Sequence, residues 1–313
     1  MKLNPQTTAF VFPGQGSQAV GMGRDLAAQY PAAQQIFDEA DSILGFSLSK
    51  LMWNGPKEAL DETINTQPAL YVHSIAAYRT FSALSTLKPV TVAGHSLGEL
   101  SALTASGALS FADGLRLVRR RGELMKRAGE FNPGGMAAIL GADIPTLDKV
   151  CVEASAENEV VQVANDNCPG QVVISGHKPA LERAMAGAKS TGAKRALPLP
   201  ISIAAHSPLM DFIQQDWNAA VDACAINDAM IPVVGNVHAN VIRTADELRA
   251  DIKAQMQSRV RWTESVQAMS GNGIQTYVEV GSGTVLLGLI KRIDSSALGV
   301  ALGTPEDFAT LEF

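Results

Sequence analysis

Residues 89–109 read PVTVAGHSLGELSALTASGAL, and this stretch decides the fold. Pro89 to Ala93 is a short apolar run rich in β-branched residues that stops at Gly94, while Leu97 to Leu109 places apolar residues at helical spacing. The turn between them is Gly94-His95-Ser96-Leu97-Gly98, a G-x-S-x-G pentapeptide where a strand passes into a helix. A serine on such a turn exposes its hydroxyl. The flanking glycines let backbone approach without a Cβ clash, and the start of the following helix aims N–H groups at a developing oxyanion.

Working outward, Thr8 to Phe12 is a β-rich run closed by Pro13 and followed by Gly14-Gln15-Gly16, with a helical pattern from about Ser17. Ala69 to Leu84 is helical in spacing, and Tyr277 to Val280 leads through Gly281-Ser282-Gly283 into an apolar helix near Val285. Repeated strand, turn and helix units predict a mostly parallel sheet covered by helices, with ligands outside the carboxyl ends of its strands. Between Gly134 and Leu199 the order changes. Strand runs at Met136 to Leu140, Val160 to Ala164, Gln171 to Ser175 and Arg195 to Leu199 bracket helical stretches at Ile144 to Ala154 and Pro179 to Thr191. That β-α-β-β-α-β order is ferredoxin-like, and Asn132-Pro133-Gly134-Gly135 reads as a hinge into it. The pattern predicts an α/β protein in which residues 1–132 and 200–313 form a large catalytic domain and residues 133–199 form an inserted subdomain.

The 313 residues are 46% hydrophobic and 18% charged, an ordinary globular balance that excludes disorder for most of the chain. A formal net charge of -6 provides no global basic field, which argues against nucleic acid as a partner. Cys151, Cys168 and Cys224 form an odd, widely spaced set without a C-x-x-C pair, which fits neither a disulfide framework nor a structural zinc site. The N-terminal apolar run is too short for a signal peptide, and no stretch is long enough to span a membrane. These readings predict a soluble, cytoplasmic protein.

A nucleophilic serine needs a base, and the chain has five histidines: His73, His95, His177, His206 and His238. Spacing alone selects none of them. His206 is favoured because it follows the strand-like run Leu199 to Ala205 and precedes Ser207-Pro208, which puts it in a loop at a strand's end. His95, His73 and His177 read as structural.

Several spaced motifs then combine. Phe12-Pro13-Gly14-Gln15-Gly16-Ser17-Gln18, Thr66-Gln67-Pro68-Ala69, Gly94 to Glu99, Arg121-Gly122, Asn167 with Pro169-Gly170-Gln171, His206-Ser207 and Glu279-Val280-Gly281 follow one another from near one end of the chain to the other. Together they resemble the malonyl-CoA:acyl carrier protein transacylase family. The resemblance implies an α/β-hydrolase-like large domain with a ferredoxin-like insertion, in agreement with the pattern read above. It also implies that Ser96 is the acylated nucleophile and His206 its base, that the backbone N–H groups of Gln15 and Leu97 form the oxyanion hole, and that Arg121 pairs with the malonyl carboxylate. Successive helical residues point about 100° apart, so Arg119, Arg120 and Arg121 cannot all face one pocket.

One segment departs from the family. Ser258-Arg259-Val260-Arg261-Trp262 carries Arg259 where Pro is common and Arg261 where Gln is common. The resemblance gives the backbone carbonyl of Arg261 the task of orienting His206, and a guanidinium there would lower the histidine's pKa. The implied chemistry is malonyl transfer from malonyl-CoA to the phosphopantetheine thiol of acyl carrier protein through a malonyl-serine. It requires no metal or resident cofactor. The rival readings are an esterase or thioesterase, a non-catalytic carrier-docking subunit, a trans-acting acyltransferase of a polyketide synthase and the malonyl-transfer subunit of malonate decarboxylase. Lys126, Arg127, Lys194, Arg195, Lys291 and Arg292 are candidate contacts for an acidic carrier protein.

Overall fold

The computed structural model describes residues 1–313. Its strands, in chain order, are β1 (Thr8–Phe12), β2 (Thr91–Gly94), β3 (Gly134–Leu140), β4 (Val161–Cys168), β5 (Gln171–His177), β6 (Arg195–Pro198), β7 (Val233–Val234), β8 (Val241–Ile242), β9 (Thr276–Val280) and β10 (Leu298–Leu302). Six of them form one sheet in the order β10-β9-β1-β2-β7-β8. It is parallel except for β8, which runs antiparallel to β7. Every residue of β1 is buried, as expected of a central parallel strand covered on both faces by helices.

The remaining four strands form an antiparallel sheet, β4-β5-β3-β6, drawn wholly from residues 134–198. With the Ile144–Ala154 and Lys178–Ser190 helices it has the ferredoxin-like order. Its small core joins Ile139, Val163 and Ile174 of the sheet to Leu147, Val150 and Leu181 of the helices. The fold is therefore an α/β protein with a parallel-sheet domain and a smaller inserted unit. The large domain reaches the small sheet at β4 through Val260, in the loop before the Trp262–Gly271 helix, which accepts from Asp166 N–H at 2.9 Å and donates to Ala164 C=O at 2.8 Å.

Four local expectations are corrected. No helix begins near Ser17: Gly21 and Gly23 hold φ of 97° and 78°, and the first helix starts at Arg24. The Thr63–Leu84 helix begins six residues before Ala69 and runs through Pro68. A proline lacks the N–H that would bond Ile64 C=O, and Arg119 Nη1 bonds that oxygen instead at 2.9 Å. Gly134 and Gly135 are buried in β3 and are not a hinge. A Cβ on Gly134 would lie 2.5 Å from Ala204 Cβ, so close packing is what requires this glycine. Finally, Leu199 to Ala205 is apolar but belongs to no strand, because this segment lines a cavity with Leu199, Pro200, Ile201, Ile203 and Ala205.

Candidate active site

The C-terminal ends of β1, β2 and β7 converge, as open parallel sheets predict. β1 delivers Gln15, β2 delivers Ser96 and β7 delivers Asn236. Ser96 has φ 52° and ψ -107°, a strained elbow conformation, immediately before the Leu97–Ala105 helix. Two glycines permit the turn. A Cβ on Gly94 would stand 1.9 Å from Gly98 C, and one on Gly98 would stand 2.0 Å from Phe12 O. The elbow opens into a cavity of about 630 Å³ between the two units, lined from the small one by Met136, Asn165, Asn167 and Val173. Two register shifts in β4 fall between Val163 and Cys168, and such bulges re-aim side chains beside sites.

Ser96 Oγ lies 2.8 Å from His206 Nε2. His206 Nδ1 faces the carbonyls of Gln255 at 2.9 Å and Ser258 at 3.1 Å. Two acceptors on Nδ1 fix the proton there, so Nε2 presents its lone pair to the serine hydroxyl. Burial, followed by the charge of Arg121, pushes the His206 pKa down to about 3, so the ring is neutral at pH 7. The base is thus held by backbone oxygens with no carboxylate behind it.

The backbone N–H of Gln15 has no acceptor within the protein, and that of Leu97 is the first of its helix, where no residue four back in the helix can receive it. Both residues line the cavity beside Ser96. Arg121 is 1% exposed. Its Nη2 donates to Ser96 Oγ at 3.1 Å and to Gln255 Oε1 at 2.9 Å. No carboxylate stands within ion-pair distance of it. Burial pulls its pKa down to about 10, which leaves it charged at neutral pH. Arg119 and Arg120 turn the other way and pair with Glu123.

The role expected of Arg261 is corrected. It caps the Trp262–Gly271 helix, so its carbonyl is committed to the first turn and accepts from Ser265 N and Oγ, both at 2.9 Å. Its guanidinium pairs with Glu264 at 3.1 Å, and the cation that lowers the His206 pKa is Arg121. Gln255 and Ser258 hold the histidine instead.

Other residues of the site escaped sequence reasoning. Asn236 Oδ1 accepts from Ser96 N–H at 2.8 Å, and Gln255 Nε2 donates to Ser96 C=O at 2.9 Å, so the two bracket the elbow. Gln162 of β4 donates to His206 C=O at 2.7 Å. His95, read as structural, lines the cavity and bonds Asn167 Oδ1 at 2.8 Å through Nε2. His73 bonds Gly303 C=O at 2.9 Å, away from the serine, and His177 Nδ1 accepts from Val160 N–H at 3.0 Å. Glu279, one of the spaced motifs, serves a helix: its oxygens accept from Leu286 and Leu287 N–H at 3.1 and 3.0 Å. One signal did stand in the sequence, since a lone Glu99 inside the apolar run LGELSALTA is a buried acid in need of a reason.

A serine on a strand-to-helix elbow, a histidine within hydrogen-bonding reach and unclaimed N–H groups beside them define a protein of the acyl-group transfer or hydrolysis class. Comparison with known proteins narrows the class. The acyl transferase domain family matches residues 9–301, and the chain belongs to that family. It is 46% identical over 298 residues to the malonyl CoA-acyl carrier protein transacylase of Bacillus subtilis (strain 168), covering 95% of this chain and 94% of the relative. The crystal structure of an acyl carrier protein S-malonyltransferase from Vibrio cholerae superposes with a TM-score of 0.94 at 43% identity, over 97% of this chain and 99% of that one. A malonyl-transacylase solved in complex with its type II polyketide synthase acyl-carrier protein gives a TM-score of 0.94 at 40% identity, over 97% and 98% of the two chains.

Proposed function

We propose that this protein carries malonyl groups from malonyl-CoA to the phosphopantetheine thiol of acyl carrier protein, supplying fatty-acid synthesis in the cytoplasm. Residues 1–132 and 200–313 act as the catalytic domain, with residues 133–199 as the inserted subdomain that closes one side of the cavity. Ser96 Oγ attacks the thioester carbonyl while His206 Nε2 takes its proton. The N–H groups of Gln15 and Leu97 receive the oxyanion. The C–S bond breaks, the CoA sulfur leaves with the proton from His206, and a malonyl ester remains on Ser96. The carrier thiol then attacks that ester along the reverse path, again through His206, in a ping-pong sequence.

The observation that carries this reading is Arg121, a buried guanidinium with no carboxylate partner, 3.1 Å from the nucleophile. A cation held out of water without a counter-ion is costly, and a substrate carboxylate offsets that cost through parallel charge-assisted hydrogen bonds. A neutral ester gives such a cation nothing to bind, which sets the transferase apart from an esterase. Losing one partner of a buried pair costs about 3–5 kcal/mol, so Arg121→Ala is expected to lower kcat/KM for malonyl-CoA by roughly 10²–10⁴. Acetyl-CoA is expected to react as well as before or better. An equal fall for both substrates would remove the carboxylate-binding role from Arg121.

A further inference from the structure

One buried acid has no part in the chemistry above. Glu99 lies in the first turn of the Leu97–Ala105 helix with no solvent exposure. Asp251, from the Ala245–Gln255 helix, meets it there. The backbone N–H of Asn236 is 3.2 Å from Glu99 Oε1 and 3.1 Å from Asp251 Oδ2, so two carboxyl groups close on a single donor. Glu99 Oε2 accepts from Gln255 Nε2. Neither acid takes part in an ion pair.

Gln255 is where this pair touches the site. Its Nε2 also donates to Ser96 C=O, its Oε1 accepts from Arg121 Nη2 and its own carbonyl accepts from His206 Nδ1, each at 2.9 Å. Whatever fixes the Gln255 amide therefore fixes the nucleophile's backbone and the guanidinium together. Two ionised carboxylates so close in a dry interior repel each other, and such pairs retain one proton. Burial and the Asp251 charge accordingly hold the Glu99 carboxyl well above the usual carboxylate range. The protonation state matters to Arg121. An ionised Glu99 behind Gln255 would serve as a built-in counter-ion and compete with a substrate carboxylate, whereas a neutral one leaves the guanidinium charge to the ligand.

We propose that Glu99 is a positioning residue that works as a neutral acid, donating a hydrogen bond toward Asp251 and clamping the Gln255 amide so that Arg121 faces the cavity with its charge uncompensated. This rests on the carboxylate-binding reading of Arg121. The charged and titratable groups that meet the pair through Gln255 are Arg121 from the Phe111–Phe131 helix and His206 from the loop before the Pro208–Met210 turn; Asn236 and Gln255 supply only neutral contacts.

The test compares the wild type with Glu99→Gln and Glu99→Ala. Infrared spectra at neutral pH are expected to show a protonated-carboxyl band in the wild type that Glu99→Gln lacks. Glutamine is neutral and can still donate to Asp251 and accept from Gln255, so it is expected to keep kcat/KM for malonyl-CoA within about threefold of wild type. Glu99→Ala frees the amide and is expected to lose roughly tenfold or more with malonyl-CoA, and less with acetyl-CoA. If Glu99→Ala fails to fold, the glutamine variant decides by itself. A band unchanged by Glu99→Gln, or a glutamine variant more than about tenfold impaired, overturns the proposal, because a neutral isostere would then not do the work of Glu99. Arg121→Ala measured alongside separates the two readings: an equal loss with both acyl-CoAs in that variant refutes the carboxylate site, while the infrared band still reports the Glu99 proton.

Discussion

Ser96 at φ 52° and His206 at φ 57° are, with Ala239, the non-glycine residues of this chain that hold positive φ. Each such backbone costs about 1–3 kcal/mol and persists only when its surroundings over-determine it. Both are clamped on either side of the peptide unit. Ser96 is held by Asn236 and Gln255, while His206 donates its N–H to Met256 C=O at 3.0 Å and receives Gln162 on its own carbonyl. The electrostatics follow from the same confinement. His206 falls from 6.5 to about 3 through burial and then through Arg121. A folded-state pKa below the unfolded one means that its contribution to stability is present above pH 6.5 and is lost as pH falls toward 3. In catalysis, the acid limb of kcat/KM is expected below pH 6.5. Arg121→Ala removes one of the charges that depress the base, so its limb is expected at higher pH when both proteins are assayed with acetyl-CoA. A limb that stays in place would mean that Arg121 does not act on His206.

At the scale of elements, the elbow depends on atoms that are absent. The Leu97–Ala105 helix starts flush against β1 because Gly98 has no side chain, and a methyl group there meets backbone that cannot rotate away. Gly98→Ala is expected to cost about 1–3 kcal/mol in denaturant midpoint and to abolish acylation at temperatures where the variant is still folded. Full acylation by a folded Gly98→Ala protein would show that the elbow tolerates displacement. The elements themselves were largely legible in the sequence. The Ile144–Ala154 helix matches its expected limits residue for residue, and the six segments of the inserted unit fall in the expected order, because hydrophobic period and turn residues are local signals. Leu199 to Ala205 misled for the same reason: an apolar run looks alike whether it lies in a sheet or against a cavity. Ser96 was legible through its motif, whereas Arg121 was reached only through the family resemblance, since helical phase says no more than that Arg119, Arg120 and Arg121 cannot all face one pocket. Asn236 and Gln255 were not, since they reach Ser96 across 140 and 159 residues of chain, and Arg261 was misassigned because which carbonyl faces His206 depends on where the Trp262–Gly271 helix begins.

On the scale of the molecule, the cavity belongs to both units, and polar side chains stitch its walls together. Gln162 and Asn167 of β4 reach His206 and His95, and Arg292 reaches back to Gln171 and Pro169. The same geometry sorts the basic residues proposed to meet a carrier protein. All six are exposed, but Arg127 is tied to Asp216 and Arg292 to the inserted unit. Lys126→Glu and Arg195→Glu are therefore expected to raise the carrier's KM and weaken its salt dependence while leaving acylation by malonyl-CoA unchanged; no effect on the carrier half-reaction from either would place docking elsewhere. The proposed reaction runs through a covalent intermediate at one serine, and intact-mass spectrometry after mixing the purified protein with malonyl-CoA tests it most directly. The predicted result is a stable adduct of one malonyl group per chain in the wild type and none in Ser96→Ala. An adduct that survives in Ser96→Ala, or release of CoA by the wild type with no adduct at any time, would contradict it.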